Sequence, residues 1–267
     1  MDPELLLAHV LGVSRAGLLT LDEVPDDAAA RFEALAGQRA DRVPLQHLTG
    51  RAPFRHLELA VGPGVFVPRP ETEQLVEWAL ARLAGRAEPV VVDLGSGSGA
   101  IALSIAHEHP GARITAVEHD PVAIEWTKAN AATRAAAGDT PVEVLSGDMT
   151  DPGLLRDLDG TVDLVVSNPP YVPDGARLPR EVADHDPPLA LWGGPDGLDV
   201  VRGLLRTAAR LLRPGGWLGI EHADQQGSAL PALVRSSGTW SDVTDHPDLT
   251  GRPRYTTARY AGAPSGQ

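Results

Sequence analysis

Four residues in the second half of the chain, Asn168-Pro169-Pro170-Tyr171, carry the most chemical information in the sequence. They follow Val162-Asp163-Leu164-Val165-Val166-Ser167, an apolar run of the kind that forms a strand inside a sheet covered on both faces. Asn168 offers a side-chain oxygen, and the Pro169 carbonyl offers a second acceptor beside it. Two such acceptors can hold both N–H bonds of an NH2 group on an sp2 carbon, as in a carboxamide or an exocyclic ring amine. Held so, the delocalised lone pair of that nitrogen is localised and aimed at an electrophile. Prolines at 169 and 170 remove two backbone donors that would compete at this spot. Tyr171 gives a flat surface on which the planar group can stack. No strong general base is required, because the product cation is acidic and loses its proton to water after transfer. Asn-Pro-Pro also stops a strand and turns a chain, so the tetrapeptide alone leaves that plainer reading open.

A second cluster, Asp93-Leu94-Gly95-Ser96-Gly97-Ser98-Gly99-Ala100, falls where an apolar strand, Val90 to Leu94, hands over to a helix. Ligands of open parallel sheets bind at such carboxyl ends of strands, and glycines let the backbone turn sharply there. Gly95, Gly97 and Ala100 also satisfy the relaxed dinucleotide fingerprint, with Glu118 near the usual distance for a ribose-binding acid. Asp93 and the third glycine at 99 shift the reading, because this GxGxG pattern resembles the first motif of S-adenosylmethionine (AdoMet) methyltransferases. An acid there can offset the ammonium and sulfonium charges of AdoMet, whereas beside a pyrophosphate it would repel. Glu118, ending the next strand, can accept from both hydroxyls of a ribose. Asp148 resembles the acidic position that meets adenine in such folds, and Met149 can pack on the ring face, although Gly147-Asp148 is also ordinary turn chemistry.

The elements that must position these residues follow from periodicity. Residues 4–12 and 28–40 carry apolar side chains at helical spacing, with Asp26 and Asp27 favouring the start of the second helix. Residues 53–67 change to short β-favouring runs around Gly62-Pro63-Gly64, which predicts a hairpin linker turning at those glycines. Pro68 to Thr72 open a helix running to Leu83. Strands at 90–94, 113–118, 142–145, 162–166 and 216–221 then alternate with helices at 99–108, 122–136 and 198–212. That order predicts an α/β fold with a mostly parallel sheet covered on both faces. Between Tyr171 and Leu198, five prolines and no periodicity predict a long functional loop.

Composition narrows the partners. The 267 residues include 23 basic and 36 acidic ones, a net charge of −13, and the one lysine is Lys128. No basic run is present to track a polyanion, so direct binding of duplex DNA is not expected. The chain has no cysteine, which excludes disulfides, thiolate metal sites and a cysteine nucleophile and fits a cytoplasmic setting. His107 and His109 lack HExxH spacing, no metal is expected, and no apolar run reaches the ~20 residues of a membrane span.

Taken together the motifs resemble the HemK/PrmC family of protein-glutamine N5 methyltransferases. The likeness runs through Pro44 to Gly50, Pro68-Arg69-Pro70-Glu71-Thr72-Glu73, Asp93 to Ala100, Ser167 to Tyr171, Leu189 to Leu198 and Asp248 to Arg254. It implies a Rossmann-like class I AdoMet-dependent methyltransferase sheet at 68–267, the hairpin linker at 53–67, and a helical substrate-docking domain at 1–52, shortened relative to the family. It also implies the substrate, the glutamine of the GGQ motif in class I peptide chain release factors. AdoMet would lie on Asp93, Gly95, Ser96, Gly97, Ser98, Gly99, Glu118, Asp148, Met149 and Asn168, and the glutamine on Asn168, Pro169, Pro170 and Tyr171, with Asn168, Pro169 and Tyr171 catalytic. The family commonly has Asp where Glu118 stands, and Glu-Ile-Gly where this chain has Glu221-His222-Ala223.

Two enzymes share the tetrapeptide's chemistry: an adenine-N6 methyltransferase of nucleic acid, which the charge opposes, and a glutamine methyltransferase of a ribosomal protein. A nicotinamide oxidoreductase is opposed by Asp93 and by the lack of a hydride-site acid or base. A module that binds AdoMet without turnover is opposed by the intact Asn168 and Tyr171.

Overall fold

A computed structural model describes residues 2–21 and 23–262. Helices α1 (Asp2–Leu11), α2 (Asp26–Ala40) and α3 (Leu45–Thr49) precede a two-stranded hairpin of β1 (Arg51–Phe54) and β2 (Leu57–Ala60). Then follow α4 (Glu73–Leu83), β3 (Val90–Leu94), α5 (Ala100–Glu108), β4 (Arg113–Glu118), α6 (Pro121–Ala136), β5 (Val142–Ser146) and β6 (Val162–Ser167). The chain continues through α7 (Arg180–His185), α8 (Asp199–Leu211), β7 (Leu212–Glu221), α9 (Ala229–Ser236), β8 (Trp240–Pro247) and β9 (Pro253–Tyr260).

Seven strands form one sheet in the order β5-β4-β3-β6-β7-β9-β8, parallel except that β9 runs antiparallel to both its neighbours. Chain order reverses between β3 and β6, and that switch point opens the crevice where ligands of such sheets bind. Both faces are covered, which is why β3 is buried throughout and apolar except for Asp93. Val91 packs under α4 and α5, while Val90 and Val92 pack on the opposite face under α8 and α9.

The hairpin departs from expectation. Its turn is at Arg55-His56, not at Gly62-Pro63-Gly64, and Val65 to Val67 form no strand. Arg55 takes a left-handed φ of 50°, and its guanidinium grips Glu108 through two bonds of 2.6 and 2.7 Å and Glu77 through one of 2.8 Å. A bidentate, largely buried cation docked on α4 and α5 offsets the strain of that backbone. The glycines instead let the connection lie flat on α6, since a Cβ at Gly62 would come 2.6 Å from Trp126 and one at Gly64 2.5 Å from Val122.

Asn130, buried on α6, ties the hairpin to the glycine loop. It accepts from Ala60 N at 2.8 Å and donates to Ala60 O and Ser98 O at 2.9 Å each. Asn130→Ala would strand three backbone groups, and a loss of roughly 3 kcal/mol in urea unfolding is expected. An unchanged unfolding free energy would mean that water replaces the amide.

Candidate active site

A cavity of about 740 Å³ opens at the carboxyl ends of β3, β4 and β6. One side is the glycine loop, where Gly95, Gly97 and Gly99 have φ of 80°, 58° and 86°, a left-handed conformation that favours glycine. Gly95 N and Ser96 N donate to Val117 O at 2.8 and 3.0 Å, and Thr127 Oγ1 donates to Gly97 O at 2.6 Å. Glu118 faces the cavity and also organises it: Oε2 accepts from Gly97 N at 2.7 Å, and Oε1 accepts from His119 N and Asp120 N at 2.7 and 2.8 Å. A carboxylate has about four acceptor sites, so this leaves room for a hydroxyl-bearing ligand. A side chain at Gly95 would be strained by its φ of 80° and would push on Met149 Cε, 2.7 Å from its Cβ.

Not every expected loop residue reaches the cavity. Gly99 caps α5 behind it, where a Cβ would press on Leu103 at 2.8 Å. Asp93 is fully buried below the loop and off the cavity wall, its Oδ2 accepting from Ala102 N at 3.1 Å. The electrostatic role expected for it opposite a ligand is therefore not one of direct contact: Asp93 supports the start of α5. Burial pushes its carboxyl up to about 7, against the Ala102 hydrogen bond and with help from the Glu118 charge.

The native state thus holds a proton on Asp93 that the unfolded chain, near 3.8, releases. The carboxyl costs stability increasingly as pH rises from about 4 to about 7, and by a constant amount above that. Asp93→Asn is expected to melt above the parent protein by a margin that opens across this window. Thermal melts at about pH 4, 6 and 8 read it, and a margin that stays constant would overturn the assignment.

On the far side, Asp148 Oδ1 accepts from Thr150 N and Oγ1, both at 2.8 Å. Burial raises its carboxyl, but these bonds outweigh burial and hold it below the usual range. Asp148 and Met149 both line the cavity, and Met149 also packs into the core between β3 and α8.

The tetrapeptide leaves the end of β6, locked to β3 by Ser167 Oγ donating to Leu94 O at 2.5 Å. Asn168, Pro170 and Tyr171 line the cavity, whereas Pro169, expected there as well, does not. Asn168 Nδ2 donates to Thr72 Oγ1 at 3.3 Å. Burial pushes the Tyr171 phenol well above its ordinary value, and Gln226 holds the Tyr171 carbonyl at 3.1 Å. The glycine loop and the tetrapeptide therefore share one cavity.

The family profile of the methyltransferase small domain matches residues 57–184, and that of the PrmC N-terminal domain matches residues 1–50. Among curated proteins, a release factor glutamine methyltransferase of Mycolicibacterium smegmatis is 53% identical, over 97% of this chain and 89% of its own. One from Streptomyces coelicolor is 51% identical, over 97% of this chain and 90% of its own. This chain belongs to the release factor glutamine methyltransferase family. It is an AdoMet-dependent methyltransferase. A solved methyltransferase from Pyrococcus furiosus shares the fold, with a TM-score of 0.55 at 19% identity over 85% of this chain and 99% of that one.

Several cavity residues of this family member were not singled out individually from the sequence. Phe66, Pro68, Arg69 and Thr72 line the wall, and the Pro68 to Glu73 motif was the available signal. The 172–197 segment is not structureless: it holds α7, and Val172 bridges to Trp192. It closes the cavity with Leu191 and Trp192 and is pinned by Arg69 NH2 to Asp186 Oδ2 at 2.8 Å. Arg39 of α2 reaches the same segment at Glu181, also 2.8 Å away. His107 and His109 are accounted for by Asp139 at 2.9 Å and the Leu83 carbonyl at 3.3 Å. Among the described residues no helix is long and apolar enough to cross a membrane.

Proposed function

We propose that this enzyme methylates the side-chain amide nitrogen of the GGQ glutamine of class I peptide chain release factors, acting in the cytoplasm. The observation that carries the reading is the single cavity lined by the glycine loop at one end and by Asn168, Pro170 and Tyr171 at the other. The residues fit AdoMet: Gly95 and Gly97 leave the backbone bare, the remaining acceptor site of Glu118 meets a ribose hydroxyl, and Asp148 with Met149 meets the adenine. AdoMet, when bound, supplies an electrophilic methyl group. Asn168 Oδ1 and the Pro169 carbonyl accept from the two N–H bonds of the glutamine amide, so its nitrogen lone pair points along the cavity. Tyr171 stacks on the amide plane, and Leu191 with Trp192 excludes water from that end. The family relatives support the release factor as substrate. The net charge of −13 opposes a nucleic-acid substrate.

The test is methyl transfer from labelled AdoMet to a recombinant class I release factor, beside its GGQ glutamine variant, a ribosomal protein fraction and duplex DNA. Label on the wild-type factor alone, mapped to the glutamine by mass spectrometry, is expected. Label on DNA, on a ribosomal protein or on the glutamine variant would overturn it.

A further inference from the structure

Glu221 ends β7 beside the tetrapeptide and is used by nothing described so far. The parallel register pairs Ser167 with Ile220, so the next residues on the two strands, Asn168 and Glu221, are neighbours. Glu221 is buried, 1% exposed, with no hydrogen-bond partner for Oε2 among the described residues. Thr72, itself buried, stands beside both: Asn168 Nδ2 donates to Thr72 Oγ1 at 3.3 Å, and the polar side chains of Thr72 and Asn168 lie close enough to the Glu221 carboxyl to hold its pKa down against burial. A hydroxyl has one proton. If Thr72 gives it to a carboxylate, its oxygen is left to receive the Asn168 amide, and the direction of the chain follows.

We infer that Glu221 is the positioning residue that sets the Asn168 carboxamide with Nδ2 inward and Oδ1 towards the glutamine. The alternative amide orientation would turn Oδ1 onto Thr72 and Glu221, an oxygen facing an ionised acceptor inside a low-dielectric site. The inference rests on the reading of Asn168 given above. Its ionised form is the one that enforces direction, because a protonated Glu221 can itself donate. Burial pushes Glu221 up to about 7; Thr72, Asn168 and the Arg254 charge oppose the rise, and the Glu71 charge adds to it. Tyr171 also bears on it, and Tyr255 is its cross-strand partner on β9. Arg254 is held in turn by Asp248 at 3.1 and 3.3 Å, which gives the closing Asp248 to Arg254 motif a role in the same network.

The test uses the full chain with Glu221→Met, which cannot accept, and Glu221→Gln, which can accept but not ionise. Glu221→Met is expected to lower kcat roughly 30-fold with AdoMet affinity within about twofold, and to cost nothing further in an Asn168→Ala background. Glu221→Gln, which like the protonated acid can itself donate, is expected to hold at about pH 8 the reduced kcat expected of the parent enzyme below about pH 7, and to show no change in kcat across that window. A wild-type kcat in Glu221→Met, an equal loss of AdoMet binding, or a full further loss in the Asn168→Ala background would each overturn the inference. Should Glu221→Met not fold, Thr72→Val breaks the same chain one atom later and is read by the same criteria.

A substrate-independent readout separates this inference from the proposed function. The Asn168 side-chain amide, identified in 15N NMR by its absence from Asn168→Ala, is expected to shift between about pH 6 and 8 in the parent protein and not in Glu221→Gln. If the release factor is not methylated but this titration is seen, the substrate reading fails and the positioning role stands. An amide signal indifferent to Glu221 would sink the latter.

Discussion

Asn168→Ala is expected to reduce methyl transfer by roughly 100-fold or more while AdoMet binds within a few-fold of its original affinity. The expectation follows from where the side chain acts. Asn168 sits at the end of β6 with its carboxamide on the cavity wall, and Ser167 and Thr72 fix the backbone and Nδ2 around it. The acceptor it offers is felt most when the glutamine nitrogen acquires positive character, which occurs in the transition state and not in the cofactor complex. Single-turnover transfer from labelled AdoMet, beside equilibrium binding of AdoMet, separates the two quantities. Equal losses in both would mean that Asn168 is part of the cofactor site, and a small loss in rate would leave the tetrapeptide as a strand terminator.

Glu118→Ala is expected to act on the other quantity, weakening AdoMet by about 10- to 100-fold, the range of one charge-assisted hydrogen bond. The structure strengthens this expectation over one based on ribose contact alone. Glu118 also receives Gly97 N, His119 N and Asp120 N, so its removal unties the glycine loop that it would share with the ligand. Glu118→Gln discriminates the two contributions. Its oxygen still accepts from His119 N and Asp120 N, but its NH2 meets Gly97 N, donor against donor, and its affinity is expected to fall nearly as far. Calorimetric titration with AdoMet reads all three proteins, and an unchanged affinity in Glu118→Ala would remove the residue from the cofactor site.

The parallel strands and their helices were legible because each is a local pattern. Val90 to Leu94 is apolar except for Asp93, and the helix from Pro121 to Ala136 carries helix-forming residues behind an Asp120 that caps it at Val122 N. The hairpin turn was not legible. Arg55-His56 is a poor turn sequence, and the Glu108 and Glu77 carboxylates that hold it come from helices far along the chain. The last two strands, β8 and β9, were missing from the periodicity: Asp242 and Pro247 interrupt β8, the edge strand, and its register with β9 shifts at Ser241/Thr244 and His246/Pro247. Strand β7 begins at Leu212, earlier than its apolar run, because Arg213 to Gly216 reads as a turn.

The sequence by itself determined the class of chemistry, since a glycine-rich strand-to-helix turn and Asn-Pro-Pro-Tyr are short motifs whose function depends on local backbone and side-chain type. It also determined that both motifs leave the carboxyl ends of parallel strands, because strands alternating with helices impose crossover connections, whereas the strand order came from the structure. Only the tertiary structure decided which of those residues face the cavity. Asp93 and Gly99 turn away from it, Glu118 serves the loop as well as the cavity, and Thr72 and Glu221 stand behind Asn168. The physical reason is that burial and hydrogen-bond partnership belong to pairs of residues distant in sequence, such as Thr72 with Asn168 and Arg69 with Asp186, and no local pattern records a pair.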